Sequence, residues 1–127
     1  MANERFKQLI DELYRATCDG RVRWQETVTE GVFRVGLGDG LVRIQTGRDD
    51  EGNGGVSIYL LNSKDQVVDE LSAFENTKHH RLLLDLYREA RSSALHLDKV
   101  VDSMLSDLKA GKVRELPPET QAKDFPF

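Results

Sequence analysis

The sequence is poor in three things that would each have set its class: it has one cysteine, three prolines and no long apolar run. Cys18 stands alone and has no partner for an intramolecular disulfide, which points to a reducing, cytoplasmic compartment and to a fold held by its core. Strictly apolar runs stop at three residues, as at Leu82 to Leu84, whereas a membrane-spanning helix needs about 20. The N-terminal residues Ala2, Asn3, Glu4 and Arg5 lead into an amphipathic pattern, with neither the apolar stretch nor the small-residue cleavage site of a secretory signal. Neither sign of charge dominates: 18 Lys and Arg face 22 Asp and Glu, a net charge of -4. Because these charges are interspersed, the expectation is solubility, with no membrane binding, and nucleic acid is an unlikely partner.

What is present fits one domain of 127 residues, of which 39% are hydrophobic, long enough to bury a core of its own. Phe6, Leu9, Ile10 and Leu13 recur at helical spacing among Glu4, Lys7, Asp11 and Glu12, which predicts an amphipathic helix ending near Cys18 to Gly20. Arg21 to Glu30 reads as a short strand or a loop carrying Trp24. Gly31 to Leu37 and Leu41 to Thr46 flank Asp39-Gly40, a two-residue hairpin signal. With that loop, Leu37 faces Val42, Val35 faces Ile44 and Phe33 faces Thr46 on an apolar face, while Arg34, Gly36, Arg43 and Gln45 make a polar one. Val56 to Leu61 predicts a third strand, with Tyr59 and Leu61 opposite Val56, Ile58 and Leu60. Gln66 to Leu71 predicts a fourth, with Val67 and Leu71 sharing a face and Val68 opposite.

From Thr77, a suitable N-cap, to Lys112 there is no proline and the only glycine is Gly111. Leu83, Tyr87, Ala90, Ala94, Leu97, Val101, Met104 and Leu108 alternate at spacings of four and three. That permits one helix on the order of 50 Å long, or two helices broken within Ser92 to Asp98, where weak helix formers lie. The broken form suits better a sheet only about 20 Å across. The fold class expected is therefore α+β: an N-terminal helix, a four-stranded antiparallel meander and a C-terminal helical hairpin or long helix on the sheet. Residues 1–112 form the domain and 113–127, with Pro117, Pro118 and Pro126, an extended or disordered tail. In outline this small acidic chain is similar to the dimeric chaperones of type III secretion. It departs from them in running its strands together where those place a helix after the third, and the similarity is one of shape alone.

Few residues carry a chemical signature. Asp49, Glu51 and Asn53, followed by Gly54, match the front half of a calcium loop, but the twelfth position is Leu60 and a strand follows. His79 and His80 are neighbours and so point about 100° apart, and His96 lies several turns away, which does not build a zinc site. Cys18 has no histidine near it in sequence, and the glycine-rich stretches Gly36 to Gly40 and Gly52 to Gly55 lack the Lys-Ser/Thr of a phosphate loop. No catalytic residue, metal site or cofactor is expected. Arg21, Arg23, Trp24, Arg34 and Arg43 form the one basic and aromatic grouping, a weak candidate for stacking on nucleic-acid bases.

The remaining signal is apolar surface beyond one core's needs. Val32, Leu41, Tyr59, Leu61, Val67 and Leu71 are expected on the second sheet face as a possible interface, and the heptad spacing offers another. If helices covered both sheet faces, the same residues would belong to a three-layer monomer. The expected role is that of a protein-binding or accessory module, a homodimer, acting through the Tyr59 and Leu61 face or the C-terminal helix. A small-molecule-binding protein or an enzyme with an unmarked pocket is the alternative.

Overall fold

A computed structural model describes residues 4–75 and 77–118. Among the described residues it is an α+β chain of three helices and one five-stranded antiparallel sheet in the strand order β1-β2-β3-β4-β5. The elements are α1 (Glu4–Cys18), β1 (Gln25–Glu26), β2 (Val32–Leu37), β3 (Gly40–Arg48), β4 (Gly54–Leu61), β5 (Val67–Phe74), α2 (His80–Ala94) and α3 (Leu97–Ala110). The strand beyond the expected four is β1, two residues long, within the stretch left open between strand and loop. Two compact units result, Met1–Leu97 and Asp98–Phe127.

The first unit is built on one core. Phe6, Ile10 and Leu13 of α1 and Leu83, Leu86, Ala90 and Ala94 of α2 close over Phe33, Val35, Val42, Ile44, Val56, Ile58 and Ala73 of the sheet. Both helices therefore lie on the same sheet face, and α1 and α2 do not sandwich the sheet. The helix ends follow from local chemistry. Gly20 takes a positive φ of 76°, and the Gly20 and Arg21 amides donate to the carbonyls of Thr17 and Ala16. This closes α1 with the left-handed cap that only glycine adopts without strain. At the start of α2, Thr77 does not serve as the N-cap. Its hydroxyl is engaged with the backbone of Phe74 at 2.8 and 2.9 Å, closing the turn that leaves β5, so α2 starts at His80. Thr77 to Lys112 is two helices, with the break at Leu95 and His96, where His96 has a φ of 56°.

Two registers differ from the expected ones. The first hairpin pairs Leu37 with Gly40, Val35 with Val42 and Phe33 with Ile44, so its loop is Gly38-Asp39, not Asp39-Gly40. Gly38 has a positive φ of 55° and Asp39 does not, which is the arrangement of a turn that wants glycine first. Gly40 pairs with Leu37 as the first residue of β3, and glycine is needed there because a side chain would run into the carbonyl of Leu61 on β4. The slip is two residues, so each side chain keeps its face. In β5 a bulge opposite Leu60 and Leu61 leaves Val68 unpaired, and Leu71 pairs with Ile58. Leu71 therefore packs on the core and does not share a face with Val67.

Candidate functional site

The sheet face turned away from α1 and α2 is built in rows across the strands. Antiparallel pairing aligns Gly36, Leu41, Leu61 and Val67 in one row, and Gln25, Arg34, Arg43, Tyr59 and Glu70 in the next. A third row holds Val32, Gln45, Ser57 and Ser72. Rows on one face are two residues apart, or about 7 Å. Five of the six residues expected as an interface, Val32, Leu41, Tyr59, Leu61 and Val67, do share this face; Leu71 does not, owing to the bulge. Leu61 is already covered, Val32, Leu41 and Tyr59 are half-buried, and Val67 is 50% exposed.

Arg34 and Arg43 stand on the same face, directly opposite each other on β2 and β3. The sequence shows each of these groups but not that they meet, because only the β3 to β4 register seats Arg43 against Tyr59. The Arg43 guanidinium carbon lies 5.1 Å from the centroid of the Tyr59 ring, within cation–π range. Its Nε is buried and has no hydrogen-bond acceptor. Among the described residues, no ion pair includes Arg34 or Arg43.

The rest of the expected basic and aromatic grouping lies elsewhere. Trp24 is 2% exposed. Its indole Nε1 donates to the Thr17 hydroxyl at 3.0 Å, and its backbone amide donates to the Ser93 hydroxyl at 2.9 Å. It is a core strut joining α1 and α2 and has no face free for a base. Arg21 pairs with Asp19 at 3.2 Å, and Arg23 is exposed beside it in sequence.

The acidic loop is occupied by its own hydrogen bonds. The Asp49 carboxylate accepts from the amides of Glu51 and Asn53 at 2.9 and 2.8 Å and from the Asn53 side chain at 3.2 Å. These bonds, the Asn53 amide foremost, hold its pKa below the usual aspartate value. Cys18 is exposed, and its hydrogen bond to Tyr14, with the electrostatic interaction between the two groups, raises the pKa of the phenol. Among the described residues no three His, Cys, Asp or Glu side chains gather in a way that would hold a metal, and no helix is long and apolar enough to cross a membrane.

The helix α3, which belongs to the second unit from Asp98 onward, has no buried residue. Leu97, Val100, Val101, Met104, Leu105 and Leu108 are 42% to 66% exposed. Their spacing puts them on one side of the helix, with Asp98, Asp102, Ser106 and Lys109 around the other. Val100, Met104 and Leu108 line an open groove of about 1040 Å³ with Val113 and Leu116 from the chain that follows. The helix ends at Gly111, whose φ is 72°, with the Lys112 amide donating to the Asp107 carbonyl at 2.8 Å. Of the tail expected at 113–127, residues 113–118 carry no helix or strand and the remainder lies outside the described residues.

No family model, no curated protein and no solved structure matches this chain.

Proposed function

We propose that the protein is a protein-binding module that pairs with a second copy of itself through α3. The observation that supports this reading is the state of α3: fourteen residues, none of them buried, with the large apolar side chains of its stripe about half exposed. A helix of this length is marginal in water by propensity alone. It gains most from a partner that covers the stripe. Leu97, Val101, Met104 and Leu108 follow the four-three-four spacing of a helix-pairing seam, and a second copy offers the same knobs and holes. The groove beside the stripe is open, with Val100, Met104, Leu108, Val113 and Leu116 among Lys99, Ser103, Asp107, Lys112 and Arg114, and an open groove of this mixed kind suits side chains of a protein better than an enclosed small molecule.

Light scattering across a concentration series tests this, with the expected result a dimer that dissociates on dilution. Met104→Lys combined with Leu108→Glu should shift the midpoint of that dissociation at least tenfold, while the fluorescence of buried Trp24 stays unchanged. A chain that remains monomeric at every concentration, or a dimer indifferent to the double substitution, overturns the reading.

A further inference from the structure

We propose a second, separate contact surface: the outer sheet face, at Arg34, Arg43 and Tyr59, binds a carboxylate-bearing, amphipathic segment of a partner protein. Four observations converge on that chemistry. Arg34 and Arg43 are directly opposed across β2 and β3, and like charges in that relation repel unless an anion lies between or above them. No ion pair among the described residues neutralises either one, although the chain as a whole has a net charge of -4. Arg43 is held against Tyr59, its Cζ 5.1 Å from the ring centroid, so its fork is oriented before any ligand arrives. Its Nε is shielded from solvent without an acceptor, which leaves the two terminal guanidinium nitrogens as the donors that an arriving carboxylate would meet.

The surroundings discriminate between anionic partners. The adjacent row offers the half-buried Leu41 and the exposed Val67 on either side of the buried Leu61 and lies about 7 Å from the arginines. A segment carrying an apolar side chain about one helical turn, 5.4 Å, from a glutamate matches that pair of rows. A single strand of nucleic acid would instead want several stacking rings and a basic track. Here Tyr59 is the one aromatic in the three rows, its ring is covered by Arg43, and Glu70 closes the row on its other side.

The test is a titration of the full-length, isotopically labelled protein, followed through its backbone amides and the Nε–H resonance of Arg43. The probe is a helical peptide built of Glu, Leu and Ala; its Glu→Gln counterpart and an oligothymidine strand are the comparisons. The Glu peptide should move the Arg43 Nε–H signal and amides of β3 and β4, the Gln peptide should not, and added salt should weaken the effect. Arg34→Gln and Arg43→Gln should each weaken binding about tenfold, in proteins whose spectra otherwise keep their dispersion. Absence of a shift, equal shifts with the Gln peptide, stronger binding of oligothymidine, or shifts confined to α3 would each overturn the proposal. The Met104→Lys, Leu108→Glu variant should bind the Glu peptide as the parent does, so failure of the α3 reading and failure of this one are separable.

Discussion

Trp24 shows how a side chain that looks like a ligand platform becomes a structural one. The residues that engage it, Thr17 and Ser93, lie seven and 69 positions away, so nothing near Trp24 in sequence announces them. The Thr17 hydroxyl is used twice: it donates to the Leu13 carbonyl at 2.7 Å and accepts from the indole at 3.0 Å. Replacing it with valine keeps the shape and removes both bonds, leaving the indole N–H buried without an acceptor. Thr17→Val should cost about 1–3 kcal/mol, read as a lower denaturation midpoint at unchanged slope. An unchanged midpoint would mean that the indole finds another acceptor. Asp49 makes a related point: its carboxylate stands out in the sequence as a charged group, and the fold turns it into a brace for its own loop through the Glu51 and Asn53 amides.

Among the elements, the amphipathic helix, the apolar side of the hairpin and the third strand were legible because each rests on a periodicity that survives small errors of register. The hairpin loop was misplaced, yet Phe33, Val35, Val42 and Ile44 still reached the core, since a shift of two residues preserves faces. Leu71 was not legible, because a bulge adds one residue and reverses the alternation beyond it. The opposition of Arg34 and Arg43 became visible only with the strand order, and the seat of Arg43 on Tyr59 only with the β3 to β4 register. Glycine positions carry a comparable constraint. A side chain at Gly55 would run into the Phe74 ring and come within 2.7 Å of the Ala73 carbonyl oxygen on β5. Gly55→Ala should therefore destabilise the protein by about 1–3 kcal/mol through overpacking. Gly47→Ala, on the neighbouring strand with open space around it, should cost less, and thermal denaturation of the two variants compares them. Equal losses would remove the close approach of β4 and β5 as the cause.

For the whole molecule, the division into two units carries a direct expectation. All the buried core residues, from Phe6 to Ala94, belong to the first unit, and α3 buries none. A chain ending at Leu97 should fold cooperatively with the fluorescence of buried Trp24, and light scattering should find it monomeric. Loss of cooperative unfolding would show that the second unit is needed for the first. The overall class was readable from sequence because composition and periodicity report what must be buried. The grouping of Arg34, Arg43 and Tyr59 was not, because those side chains meet only after the strands are ordered.

The borders of the sheet bear on how this protein behaves in a crowded solution. One border strand, β1, is two residues long, and the other, β5, is bent by its bulge at Val68 and followed there by Asp69 and Glu70. Each feature discourages a foreign strand from extending the ladder. Association through bare backbone, which would accept any strand and seed aggregates, is thereby disfavoured at both borders.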